Sequence, residues 1–208
     1  LCENMERERE QPQIRRMRLE LSKVEGQVDK VLYYARMEQV WKDYLIARTD
    51  LRKLVLRAVQ KSRLAFQDRK MQVKIEMESC FVSTDEKWAL FILDQIFSNC
   101  IKYSRDENGC VRIFSETGKN KVKLSVEDNG IGIRPEELGR VFEKGFCGTN
   151  GRSGRYSTGI GLYLTKKLCD RLGMGIRIES EYGKYTRVWL QFPESDFQKI
   201  GWEKTFQN

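Results

Sequence analysis

Apolar residues recur along the first part of the chain at alternating intervals of three and four: Ile14, Met17, Leu21, Val24, Val28, Val31 and Ala35. This period of about 3.5 residues predicts one long helix with a narrow apolar seam, because Arg, Glu, Lys and Gln fill most positions between. Such a seam wants another helix, in a coiled coil or a four-helix bundle. A helix packed on its own domain would show a wider stripe with about 3.6-residue drift. Gln11-Pro12 sets the start, since Pro fits a first turn and breaks a helix interior.

After Arg48 the pattern changes. Thr49 or Asp50 can cap a helix carrying Leu51, Leu54, Val55, Ala58 and Phe66. Met71, Val73, Ile75 and Met77 then alternate with polar residues, the mark of a half-buried strand, and Phe81-Val82 suggests a short second one. A helix over 85–103 follows, with Trp88, Leu90, Ile92 and Ile96 as its expected buried stripe. Strands over 110–117 and 121–127 pair across Gly118-Lys119-Asn120, and strands over 175–181 and 185–192 pair across Tyr182-Gly183-Lys184. Between them lie a glycine-rich stretch from Asn129 to Gly161, a short helix near 135–142, and a helix over 160–172 ending at Gly173, a left-handed cap. This order predicts an α+β fold: a two-layer α/β sandwich with a mixed, mainly antiparallel sheet and helices on one face.

Composition narrows the function classes. Of the 208 residues, 40% are hydrophobic and 33% charged, with only 3 Pro and 16 Gly, which excludes collagen-like and wholly disordered chains. The longest apolar run, Trp88–Leu93, is far short of a membrane span. The chain starts at Leu1 rather than Met, so it reads as a soluble fragment of something larger. Its 6 cysteines are scattered and it contains 0 His, which removes Cys/His zinc sites and every His-based catalytic dyad. Isolated cysteines in a chain of this size point to a reducing compartment. The net charge of +8 suits an anionic partner, although a solvated basic surface is the ordinary alternative. No Lys/Arg stripe is interleaved with aromatics, so nucleic acid is not an expected partner.

Three clusters carry the candidate chemistry. On the 85–103 helix, Gln95, Asn99, Lys102 and Tyr103 fall on one face. An amide oxygen can ligate Mg²⁺, an ammonium can neutralise phosphate, and a Tyr ring can cover a base. Alone, this face is no more than an ordinary polar one. The second cluster, Glu127-Asp128-Asn129-Gly130-Ile131-Gly132-Ile133, ends a strand with a carboxylate able to accept from an exocyclic amine; Asp-Asn-Gly is also a common turn. The third, Gly151, Gly154 and Ser157-Thr158-Gly159-Ile160-Gly161-Leu162, runs into a helix, where backbone N–H groups can hold phosphate. It does not match the P-loop spacing, and no strand leads into it as a dinucleotide fold requires.

Asn on a helix, then D-x-G-x-G, F-E-x-x-F and T-G-x-G-L, resembles the N, G1, F and G2 boxes of the GHKL (Bergerat) ATP-binding fold of gyrase, MutL and the sensor histidine kinases. Here the boxes read Asn99–Ser104, Asp128–Ile133, Val141–Phe146 and Thr158–Leu162. Lys102-Tyr103-Ser104 and the seam ending in Val31–Glu38 resemble the histidine-kinase branch. Gly145–Arg152 and Gly159–Leu164 are similar to the intramembrane-sensing (Bce-type) kinases of Gram-positive bacteria. The resemblance implies three parts: the second helix of a dimerisation hairpin over 1–48, an ATP-binding catalytic domain over 49–193, and a tail over 194–208.

It also implies roles. Asn99, with Gln95, would hold Mg²⁺, and Lys102 would meet the phosphates. Tyr103 would stack near the base and Asp128 would bind the adenine amine. Gly130, Gly132 and Ile133 would floor the base pocket, while Thr158, Gly159, Gly161 and Leu162 would wrap the phosphates. Phe142 belongs to the F box, Thr186 would line the adenine pocket, and Lys144–Ser157 would form a glycine-rich ATP lid. Many kinases carry an Arg after the F-box Phe pair. Here the stretch is Phe146-Cys147-Gly148, leaving Lys144, Arg152 or Arg155 to face the γ-phosphate.

The expected activity is ATP·Mg²⁺-dependent phosphorylation of a His and then of a response-regulator Asp. The partners implied are a second copy through the hairpin helices, a cognate response regulator and an ABC transporter, and the chain would be the cytoplasmic portion of a membrane protein. The absent phospho-acceptor His reads as truncation, the alternative being a degenerate nucleotide-gated scaffold. A GHKL hydrolase is the other alternative. In those enzymes a Glu one turn before the N-box Asn activates water, and Gln95, a neutral amide, cannot.

Overall fold

A computed structural model of the chain describes residues 44–118, 121–149 and 158–193, together with Ile14, Met17, Glu20, Leu21 and Val24. The chain divides into two units, Leu1–Asp43 and Tyr44–Asn208. In the first, the described residues are helical, and Ile14, Met17, Leu21 and Val24 all stand exposed on the stripe that their spacing defines. Val28, Val31 and Ala35 lie outside the described residues, as do the lid residues 150–157 and the tail 194–208.

The second unit opens on β1 (Ala47–Asp50), so the expected boundary at 48/49 falls inside a strand. Asp50 then caps α1 (Leu51–Lys61), its Oδ1 accepting from Lys53 N at 3.1 Å. The sequence pattern suggested one helix from Leu51 to Phe66. The helix instead breaks at Ser62, and Phe66 sits on a separate short helix, α2 (Arg63–Asp68). The break turns the Phe66 ring edge-on against Phe97, centroids 5.7 Å apart.

Next come β2 (Gln72–Glu76), β3 (Phe81–Thr84) and α3 (Glu86–Lys102), then β4 (Cys110–Thr117) and β5 (Val122–Asp128). The order ends with α4 (Pro135–Leu138), α5 (Gly161–Arg171), β6 (Gly175–Glu181) and β7 (Tyr185–Phe192). α4 is shorter than the 135–142 expected. Gly173 takes φ +65° just beyond α5, the left-handed conformation expected there. β1 pairs antiparallel with β3 in a two-stranded ribbon. The main sheet runs β2-β4-β5-β7-β6, parallel only between β2 and β4.

Strand alternation decides what faces the helices. The register sets Ile113, Val126 and Val188 in one row and Leu124 beside Leu190 in another, all buried. The helical layer answers with Leu54, Val55, Ile92, Leu93, Ile96, Phe97, Leu164 and Leu168. The buried stripe of α3 thus includes Leu93 and Phe97, while Trp88 and Leu90, expected in it, are only half-buried. The opposite sheet face carries charge: Arg187 bonds Glu127, and Arg112 bonds Glu76. Asp85 fixes the start of α3 and also the entry to β1. Its Oδ1 accepts from Trp88 N at 3.1 Å and its Oδ2 from Leu45 N at 2.8 Å. Among the described residues no helix is long and apolar enough to cross a membrane.

Candidate nucleotide site

Along β5 the helix-facing positions read Val122, Leu124, Val126 and then Asp128. The alternation that builds the core therefore ends by pointing a carboxylate into it. Asp128 is 5% exposed and opposite Thr186 in the register. Its Oδ1 accepts from Gly130 N at 3.0 Å, and the buried Cys100 thiol donates to the same carboxylate. Burial pushes the Asp128 carboxyl up to about 6, with the Glu127 charge adding to the rise and the Gly130 and Cys100 hydrogen bonds opposing it. Burial and the adjacent Asp128 charge in turn push the Cys100 thiol well above its usual value.

The loop after β5 is stitched down on both sides. Ile131 N donates to Tyr103 O at 3.1 Å at the end of α3, and Gly183 N donates to Ile131 O at 2.8 Å. Ile133 N donates to Ser180 Oγ at 2.8 Å, and that hydroxyl donates to Tyr185 O at 2.6 Å. Glycine is required twice. A Cβ on Gly130 would stand 2.4 Å from Tyr103 O, and one on Gly132, at φ +68°, would stand 2.2 Å from Glu181 O.

These elements enclose a slot. Ile96, Asn99, Cys100 and Tyr103 come from α3 and its end, Gly132 and Ile133 from the stitched loop, and Ile178, Thr186 and Val188 from β6 and β7. Leu162 enters from α5, while Glu137, Val141, Phe146, Cys147 and Gly148 close the remaining side. An apolar slot holding the buried Asp128 carboxylate, the Asn99 amide and the Thr186 hydroxyl suits a heteroaromatic ring that bears an amine.

Beyond the slot, α5 starts at Gly161 without a side-chain cap, which leaves the N–H groups of its first turn available to an anion. Gly145 N donates to Gly159 O at 3.1 Å, and Gly159 takes φ +63°. Gln95 is buried between α3 and α5, its Oε1 3.1 Å from where a Cβ on Gly161 would lie. Lys102 Nζ lies 5.2 Å from the centre of the Tyr103 ring.

The structure thus gathers Asn99, Tyr103, Asp128, Gly132, Ile133, Leu162 and Thr186 around one slot. Gln95, Gly159 and Gly161 stand at the α3–α5 junction, with Thr158 just before it, and Gly130 supports Asp128 from behind. Phe142 is half-buried and Lys144 exposed in the turn after α4, neither lining the slot; Arg152 and Arg155 lie outside the described residues. Sequence reasoning did not single out Cys100, Glu137, Cys147 or Gly148 as lining residues. Cys100 was discoverable as the core-facing neighbour of Asn99. Nothing in the pattern around Glu137 marks it, because its approach to the slot depends on how α4 packs beside β6.

Residues 84–196 match the family described as histidine kinase-, DNA gyrase B-, and HSP90-like ATPase. The sensor histidine kinase GraS of Staphylococcus haemolyticus is 35% identical over 178 residues, 85% of this chain and 51% of that protein. The chain spans about half the length of the curated relatives it matches. Full-length ShkA in complex with AMPPNP superposes with a TM-score of 0.71 at 20% identity, over 88% of this chain and 38% of that one. The histidine kinase ThkA in complex with the response regulator TrrA gives 0.65 at 20% identity, over 95% and 56%. The chain belongs to the histidine kinase-, DNA gyrase B-, and HSP90-like ATPase family, and carries the ATP-binding catalytic domain found in sensor histidine kinases.

Proposed function

We propose that this chain is the catalytic portion of a membrane sensor histidine kinase, transferring the γ-phosphoryl group of ATP to a His outside the chain and onward to a response-regulator Asp. The observation that carries the reading is the buried Asp128 carboxylate at the end of an otherwise apolar strand face, set to accept from the adenine amine. Tyr103, Ile133 and Thr186 hold the ring, and Gly132 floors it. Thr158, Gly159, Gly161 and Leu162 place the uncapped start of α5 against the phosphates, with Lys102 nearby as a cation. Lys144, Arg152 and Arg155 are the candidates for the γ-phosphate.

Mg²⁺ arriving with ATP supplies charge neutralisation at the phosphates. The site fits it, since Asn99 brings a hard amide oxygen to the slot and Mg²⁺ needs few protein ligands when phosphates and water supply the rest. Gln95 stands further back beside Gly161. In the transfer, a nitrogen lone pair of the acceptor imidazole attacks Pγ, the bond to the bridging oxygen breaks, ADP leaves with that electron pair, and the ring proton passes to solvent. The chain's residues contribute positioning and electrostatic stabilisation.

ThkA, similar in fold, is seen with a response regulator, which supports one as the downstream acceptor. The exposed stripe Ile14, Met17, Leu21 and Val24 supports pairing of hairpin helices in a homodimer of the whole protein. A membrane-embedded sensor beside an ABC transporter, with this part in the cytoplasm, follows from the resemblance to intramembrane-sensing kinases.

The test is labelling in trans. Mixed with the His-bearing hairpin of the full-length protein and γ-labelled ATP, the chain labels that His slowly, since separation forfeits effective concentration. Alone it takes up no label. Gln95→Glu raises ATP hydrolysis if this position decides between transfer and hydrolysis. Absence of trans-labelling with ATP binding intact would refute the kinase reading in favour of a nucleotide-gated scaffold.

A further inference from the structure

The wall of the slot formed by Phe146, Cys147 and Gly148 belongs to no helix or strand, yet it is held at a definite point. Glu137 Oε1 accepts twice from Thr149, from its N–H at 2.7 Å and from its Oγ1 hydroxyl at 2.7 Å. The other carboxylate oxygen rests against Gly148, where an added Cβ would come within 2.7 Å of Oε2. The carboxylate is thus nested against two successive residues of the wall, one oxygen hydrogen-bonded to Thr149 and the other close to Gly148.

Its own mounting is firm. Pro135 starts α4, Glu137 N donates to Arg134 O at 3.0 Å, and the preceding Ile133 is tied to Ser180 of β6. At the other end of the wall, Gly145 N is bonded to Gly159 O. Residues 146–149 therefore run between two fixed points, the start of α5 and the carboxylate on α4.

We propose that Glu137 is a positioning residue for nucleotide binding: by holding Gly148 and Thr149, it keeps the Phe146–Gly148 wall against the bound base and sets how long the nucleotide stays. This rests on the nucleotide reading of the slot. A charged acceptor taking two hydrogen bonds is stronger than a neutral one, and an apolar wall that moves away readmits water to the ring face. Losing the hold raises the dissociation rate more than it changes the association rate.

The experiment measures release of a fluorescent ADP by stopped flow, together with hydrogen exchange at the Thr149 amide. Glu137→Ala should speed release about tenfold and remove protection of that amide. Glu137→Gln should fall between the parent and Glu137→Ala, because its amide oxygen still accepts from both Thr149 donors but without the charge. Gly148→Ala should reproduce the Glu137→Ala behaviour with the carboxylate intact, since the new methyl displaces it. Release unchanged in Glu137→Ala would overturn the proposal, and so would equal impairment in Glu137→Gln with the Thr149 amide still protected, which would mean that the charge itself acts on the nucleotide. A parent that binds no ADP would overturn the nucleotide reading instead, and exchange at Thr149 would still decide whether Glu137 holds the wall.

Discussion

On the proposed reading Asp128 accepts from the adenine amine most strongly when ionised, and burial sets this carboxyl to titrate near pH 6. With a value of about 6, Asp128 is roughly nine-tenths ionised at pH 7 and roughly one-tenth at pH 5. If only the ionised form accepts from the amine, affinity for the nucleoside falls about tenfold over that interval. Asp128→Asn retains an acceptor oxygen without the charge. It should bind more than tenfold more weakly at pH 7 and lose the slope between pH 5 and 7.

The same burial predicts the opposite effect on the empty fold. The folded-state value lies above the ordinary 3.8, so protonation favours the fold. The stabilisation is complete below pH 3.8 and is lost as pH rises through about 6. A rise of about two units is worth about 3 kcal/mol at neutral pH, so Asp128→Asn should stabilise the unliganded domain by about 1–3 kcal/mol, the amide still paying part of its own desolvation. Calorimetric titration with adenosine avoids the titration of phosphate groups, and thermal melts without ligand report stability. Identical pH slopes in parent and Asp128→Asn, or a mutant both less stable and equally tight-binding, would refute the reasoning.

Two further substitutions test the scaffold. Asp85→Ala removes the cap of α3 and the hydrogen bond to the exposed Leu45 N–H, and should cost about 1–2 kcal/mol in urea unfolding. Gly132→Ala and Gly183→Ala both alter a left-handed residue, at φ +68° and +80°, but only the first places its methyl against backbone, at Glu181 O. Gly183→Ala should cost about 1 kcal/mol by thermal melt, and Gly132→Ala at least about twice that with loss of ADP affinity.

Much of this was legible along the chain. The turn clusters Gly118-Lys119-Asn120 and Tyr182-Gly183-Lys184 marked the strands expected over 121–127 and 185–192, and Gly173 marked the end of α5, because turn chemistry is a local property of the backbone. The motifs named Asn99, Asp128 and Leu162 as one site although they lie far apart in the chain. The strand expected over 121–127 stopped one residue short of Asp128, and it is the observed β5, Val122–Asp128, that puts the carboxylate on the face of Val126 and Leu124. Other features were not local. The break at Ser62 follows from seating Phe66 against Phe97, residues that no pattern links. β1 is too short to show alternation, and it becomes a strand only because β3 pairs with it and Asp85 holds its entry.

The raised pKa of Asp128 is likewise mainly a tertiary fact, since the helices and strands that bury the carboxyl raise it most, and the neighbouring Glu127 charge only adds to them. So is the meeting of Glu137 with Thr149, which requires α4 to stand beside the slot. Side-chain type and spacing settle which residues can form each element and which can carry chemistry, and both can be read along the chain. How deeply each residue is buried and what it faces come from packing, which sets the titration of Asp128 and turns a glycine-rich stretch into a wall.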